Sequence, residues 1–206
     1  MLARHVKAIA FDGQRACDRR LKLLRENGYI NKQKYLYGIP SLYTLTSKGK
    51  ILLGQSPRTD KIRVDQITHD IAVLDTAIYF IFQKKIALSD ITTEKQLHSI
   101  DGFSVRKHQP DFIFTFQNKT YCVECELSLK AKHRLLKNIE NNFMAYDCQI
   151  WIVPNAQVKI RAILSESMHM YIHAPNLCNN VMKITHGLVT YFFLNCISSR
   201  LIHPLK

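Results

Sequence analysis

Three acidic residues and two lysines fall within one short stretch, Pro110 to Lys130, which reads PDFIFTFQNKTYCVECELSLK. Two alternating apolar runs, Phe112–Phe116 and Tyr121–Leu127, flank the polar Gln117-Asn118-Lys119-Thr120, a pattern that predicts a β-hairpin. Residues two apart share a face of a strand. Glu124 and Glu126 are therefore expected on one side with Cys122, and Val123, Cys125 and Leu127 on the other. Asp111 opens the neighbouring strand, and Lys130 follows the exit. A buried charge must be paired or must coordinate a metal. Carboxylates from two adjacent strands with a lysine nearby make a hard-oxygen site suited to Mg²⁺ or Mn²⁺. Mg²⁺ takes one or two carboxylates together with waters and phosphate oxygens. So bound, it polarises a phosphodiester and lowers the pKa of an attacking water. The competing reading is an outer sheet face on which Glu124 and Glu126 are simply solvated, as on many half-exposed strands.

Periodicity gives the elements that must hold this stretch. Val64, Ile67, Ile71, Leu74, Ile78 and Ile81 recur at three- and four-residue steps and predict a long helix over Val64–Lys85, with His69 and Asp70 in its first half. Without further context His69 reads as a helix-surface histidine. A strand is expected over Ile91–Leu97, with Glu94 in it, then a loop over Ser99–Gln109 carrying Arg106, Lys107 and His108. After the hairpin, Lys130–Met144 reads as a helix that is basic on its early turns, at Lys130, Lys132, His133, Arg134 and Lys137. Such a helix can hold DNA phosphates or be an ordinary solvated face. Gln149–Val153 predicts a buried strand stopped by Pro154. Val158–Ser167 predicts a helix, Met170–His173 a strand, and Leu188–Ile197 a further strand or helix without an assigned role.

The N-terminal segment has a different character. Leu2–Phe11 predicts a short helix, broken by Asp12-Gly13, with Asp12 as the cap of the next helix. Gln14–Asn27 predicts that second helix, ended by Gly28. Cys17, Leu21 and Leu24 form its apolar stripe, and Arg15, Arg19 and Lys22, with Arg25 beyond, form a basic outer face. Lys34 precedes two short strands expected at Tyr35–Tyr37 and Leu42–Leu45 around Gly38-Ile39-Pro40. Thr46 is expected to cap a closing helix. Two helices, the second basic, then a hairpin and a closing helix read as a winged helix-turn-helix, with its first helix missing or shortened. Arg15, Arg19, Lys22, Arg25 and Lys34 are the candidate DNA contacts. The polar run Gly54–Lys61 is the expected boundary, giving a DNA-binding domain over 1–54 and a second domain over 62–206.

Composition narrows the partners. A formal net charge of +13 over 206 residues, without a low-complexity tail, favours a polyanion such as double-stranded DNA. No run approaches the roughly 18 apolar residues of a membrane span. Met1–His5 leads into charges rather than an apolar segment, so no signal peptide is expected. The six cysteines are scattered. Cys122 and Cys125 sit at odd spacing within one strand and cannot chelate one zinc there, so all read as reduced thiols of a cytoplasmic protein.

With these pieces placed, the spacing of Pro110-Asp111 and Glu124-x-Glu126 resembles the core of PD-(D/E)xK nucleases. It departs from that pattern at Glu126, where lysine is common, and Lys130 stands near enough to supply the displaced positive charge. The chain resembles the replication-relaxation family and, within it, the MobC-type relaxases of mobilisable plasmids and integrative elements. RRLKLLRENGYI, YTLTSKG, THDIAVLD, QPDFIF and CVECELSLK carry the resemblance, over roughly Leu2 to Pro154. It implies an α+β protein: a winged helix-turn-helix followed by a restriction-endonuclease-like α/β domain with a mixed central sheet. It implies metal-dependent DNA nicking at an origin of transfer or replication, alongside other mobilization proteins. Asp111, Glu124 and Glu126 would be the acidic site, with Lys130 and His69 as further members. The alternative is a non-catalytic replication or transcription regulator built on a degenerate nuclease fold.

Overall fold

The computed structural model describes residues 1–58, 61–102, 107–172, 181–186 and 189–195, with side chains described up to residue 167. The chain is α+β and divides into two compact units, Met1–Lys84 and Lys85–Lys206. The division falls later than the expected boundary at Gly54–Lys61. The reason is the long helix, whose partners lie in the N-terminal segment.

The first unit contains α1 (Ala3–Ala10), α2 (Gln14–Glu26), β1 (Ile30–Gln33), β2 (Leu42–Leu45), α3 (Ser47–Leu52), a 3₁₀ turn (Val64–Gln66) and α4 (Ile67–Gln83). Gly13, not Asp12, is the N-cap of α2, and no side chain caps that end. At the other end Gly28 takes φ +72°, and Tyr29 N–H closes onto Leu24 C=O at 2.9 Å. Only a residue tolerant of positive φ stops the helix this way. The first strand is Ile30–Gln33, not Tyr35–Tyr37, and pairs antiparallel with Leu42–Leu45. Tyr35, Leu36 and Ile39 instead pack against the core of Leu2, Leu42 and Ile67, so burial draws them out of the ladder. A second cluster joins Cys17, Leu21 and Ile30 to Val6, Phe11 and Leu24.

Thr46 caps α3 as expected, its hydroxyl accepting Gly49 N–H at 3.1 Å. A Cβ on Gly49 would collide with the carbonyl of Tyr29, which fixes glycine there. Arg4 forks onto Asp75 of α4 at 3.1 and 2.6 Å, and His5 Nε2 lies 2.9 Å from the same carboxylate. These bonds and the shared core of Leu2 and Ile67 tie α4 to the N-terminal segment. The helix begins at Ile67, so Val64 lies outside it and is exposed.

The second unit contains β3 (Ile91–Thr93), α5 (Glu94–Asp101), β4 (Phe112–Phe116), β5 (Lys119–Cys125), α6 (Lys132–Ala145), β6 (Cys148–Pro154), α7 (Val158–Ile172), β7 (Val181–His186) and β8 (Val189–Asn195). The expected strand Ile91–Leu97 ends at Thr93, because Thr93 and Gln96 close a capping box that starts α5 at Glu94. The segment Met170–Ile172, expected as a strand, continues α7. His173 lies outside the described residues, as do Arg106, Cys178 and Cys196. Cys17, Cys122, Cys125 and Cys148 are buried free thiols.

Six strands form one mixed sheet in the order β3-β4-β5-β6-β8-β7, in which β5 and β6 run parallel and every other neighbouring pair is antiparallel. The parallel pair demands a crossover, and α6 supplies it. The β4–β5 hairpin turns through two residues, Gln117 and Asn118, with φ 50° and 59°. Two consecutive left-handed residues match the twist of a tight hairpin. The strand therefore starts at Lys119, two residues earlier than the polar run suggests. Leu135 and Ile139 of α6, Trp151 and Val153 of β6, and Ile160 and Leu164 of α7 form the main core, all at most 1% exposed. No helix of the described residues is long and apolar enough to cross a membrane.

Candidate functional site

The hairpin register sets the candidate acidic residues. Phe112, the first residue of β4, pairs with Val123, and Asp111 precedes it just outside the ladder. On the other flank of β5 the parallel register sets Glu124 beside Trp151 of β6, the residue packed under α6. Glu124 thus faces α6, and Asp111 lies close enough for its charge to act on Glu124. Asp111 Oδ2 accepts Cys125 N–H at 2.6 Å, which anchors it across the two strands.

Glu124 is 5% exposed and Glu126 3%, so the solvated-face reading of these carboxylates does not hold. Each is met by a cation-capable group. His108 Nε2 lies 2.6 Å from Glu124 Oε1, and Asn142 of α6 donates to the same oxygen at 2.9 Å. Burial pushes the Glu124 carboxyl above the usual glutamate range. The His108 hydrogen bond opposes that rise and the negative charge of Asp111 adds to it. Glu126 lies just beyond β5, its N–H donating to Ile152 C=O at 3.0 Å, and Lys130 Nζ reaches its Oε2 at 2.8 Å. Lys130 therefore sits beside the acidic residues, as expected, with Glu126 as its ion-pair partner.

For a divalent ion the donor chemistry fits in part. Asp111 and Glu124 supply the one or two carboxylates that Mg²⁺ needs. Among the described residues no three His, Cys, Asp or Glu side chains are grouped as ligands for one metal, and Glu126 is engaged with Lys130. His69 lies in the first unit, on α4, half-buried, with Nδ1 3.9 Å from Asp70 Oδ1.

Beside Glu124 opens a cleft of about 1260 Å³. Lys107, His108, His133, Arg134 and Lys137 line it, with Asn138 and Asn142 of α6 and Tyr146 beyond its end. Lys107, Arg134 and Lys137 form no ion pair among the described residues. Uncompensated cations around a concavity focus a positive potential into it. Tyr146 donates to Gln109 Oε1 at 3.3 Å, and Gln109 Nε2 in turn bonds Asp101. Burial, with the nearby Cys122, Asp101 and Glu124, pushes the Tyr146 hydroxyl up to about 12. That keeps it a neutral phenol.

Sequence reasoning does not mark His108, Asn138, Asn142 and Tyr146 as site residues. A legible signal exists for two of them. The buried positions of α6 are Leu135, Asn138, Ile139 and Asn142, so two amides occupy an otherwise apolar helical stripe. His108 carries no such signal, because only the folded loop brings it to Glu124.

In the first unit Arg15, Arg19 and Lys22 are exposed on the face of α2 opposite the buried Cys17 and Leu21, and Arg25 is exposed one turn beyond Leu21. Lys22 lies 3.8 Å from Glu26. Lys34 is exposed in the connection between β1 and β2, its ammonium 5.6 Å from the ring of Tyr37. The five candidate contacts thus remain available to solvent. Comparison of the chain with protein-family models, with curated proteins and with solved structures finds no match.

Proposed function

We propose that this chain is a DNA-binding, metal-dependent nicking protein, with a winged helix in its first unit and a nuclease-like sheet in its second. The resemblance to the replication-relaxation family points to an origin of transfer or replication as the target. The observation that carries the reading is the conjunction in the second unit. Asp111 lies close enough to the buried Glu124 for its charge to act on it, and cations without acidic partners line the cleft beside His108 and Asn142, the partners of Glu124. Phosphates of a DNA strand lying in the cleft would be held by Arg134, Lys137 and Lys107, next to the two carboxylates. Those carboxylates would hold Mg²⁺ or Mn²⁺, which supplies Lewis-acid activation of the phosphodiester and of a water. Asn142 donates to Glu124 Oε1, and His108 Nε2 lies 2.6 Å from the same oxygen, so two residues of the cleft hold this carboxylate in place.

The second reading, a DNA-binding regulator without catalysis, is favoured by one observation: Lys130 occupies the Glu126 carboxylate. Cleavage of supercoiled plasmid with Mg²⁺ or Mn²⁺ separates the two. Open circles formed by the wild type and lost in Glu124→Ala support the nicking enzyme. DNA binding by both proteins, with no cut under either metal, supports the regulator.

A further inference from the structure

The cleft has a feature that phosphate binding leaves unused. Asn138 lies on its floor, only 7% exposed, and its side-chain amide has no hydrogen-bond partner among the described residues. Its polar atoms open onto the cleft, since among the described residues only Arg161 Nε is a fully buried side-chain polar atom without a partner, so solvent or a ligand in the cleft must pair with them. An amide offers a donor and an acceptor side by side. A phosphate, which only accepts, satisfies half of it. A nucleobase edge, with adjacent donor and acceptor, satisfies both halves, as when asparagine reads adenine through N6 and N7.

Position points the same way. Asn138 is recessed in the cleft, only 7% exposed, whereas the base edges of a duplex lie inside grooves walled by both backbones and meet groups that project into them. An intact duplex therefore does not bring a base edge to Asn138. A single strand can splay a base into the cleft, and Tyr146, which also lines it, is an aromatic residue of the kind on which unpaired bases stack.

We infer that the cleft reads an unpaired nucleobase, with the Asn138 amide paired to the base edge and Arg134, Lys137 and Lys107 holding the phosphates on either side. This rests on the nucleic-acid reading above and adds to it the strand state and a specificity-determining residue.

The test is fluorescence-anisotropy titration of the full chain with short labelled oligo(dA), oligo(dC) and oligo(dT), a wholly abasic strand and a duplex. It is run for wild type, Asn138→Leu and Asn138→Asp, with thermal melts confirming that each variant folds. Asn138→Asp keeps the shape and removes the donor, so it carries the test if the leucine variant does not fold. The wild type is expected to bind its preferred single strand roughly tenfold or more tightly than the abasic strand, the discrimination of one good bidentate pair. Both variants should collapse that ratio to near unity while keeping the salt dependence of binding. Equal wild-type affinity for abasic and base-bearing strands overturns the inference, as does a ratio that survives in the variants. Either result leaves the proposed function standing. Failure of every nucleic acid to bind overturns both.

Discussion

The two basic regions of this protein are built on opposite plans. On α2, Arg15, Arg19, Lys22 and Arg25 stand exposed, with the apolar stripe turned inward. On α6, the cations border a cleft that the buried amides Asn138 and Asn142 also line. Exposed cations in high dielectric attract any polyanion and are screened by salt. Cations at the rim of a polar, partly dehydrated floor act with groups that distinguish one ligand from another. The first plan suits docking along a backbone, and the second suits discrimination and chemistry. Charge alone does not separate them. What separates them is which side of the helix carries the polar residues.

The largest expected effect tests whether the cleft depends on its own core. Trp151 is fully buried between α6 and α7. Trp151→Ala should cost about 3–5 kcal/mol, loosen the second unit and leave the first with its own unfolding transition. Hydrogen exchange resolved by segment reads this directly, and loss of protection in both units together would show that they do not fold separately. A smaller effect is expected in the first unit. Gly49→Ala forces a methyl into the Tyr29 carbonyl, and overpacking of this kind costs typically about 1–3 kcal/mol. Chemical denaturation should show that loss with the second unit unaffected.

Binding sharpens the contrast further. Arg15→Ala with Arg19→Ala, and Arg134→Ala with Lys137→Ala, should each flatten the salt dependence of DNA affinity by roughly one unit of slope per phosphate contact removed. Only the second pair should also reduce metal-dependent nicking. If the α2 pair abolishes nicking of strands it still binds, docking and chemistry are not divided between the two regions. The smallest effect is a pH dependence. The folded Glu124 carboxyl titrates above its unfolded value, so the fold binds more protons at this site than the unfolded chain does. Its contribution is fully present below the unfolded carboxyl pKa and is lost as pH rises through the folded one. Glu124→Gln should remove that loss, so its melting temperature should fall less than that of the wild type between acidic and neutral pH.

What the sequence by itself determined is what short-range geometry dictates. The alternation of β4 and β5 and the polar turn between them required a hairpin with Glu124 in its second strand, although that strand ends at Cys125 and leaves Glu126, expected on the same face, just beyond it. Leu24 to Gly28 encoded the end of α2, and Thr46 encoded the start of α3. The Thr93–Gln96 capping box was equally local, though the β-rich run ahead of it favours a longer strand. The tertiary structure alone decided the rest. It moved Tyr35 and Leu36 out of the expected strand and into a core with Leu2 and Ile67, because burial outweighed their β propensity. It assigned α4 to the N-terminal unit through Arg4, His5 and Asp75, and placed β8 between β6 and β7. It also gave the buried carboxylates their partners, His108 and Asn142 for Glu124 and Lys130 for Glu126. A buried charge demands a partner wherever the chain can supply one. The demand is written in the local sequence, but who meets it is fixed only when distant segments pack together.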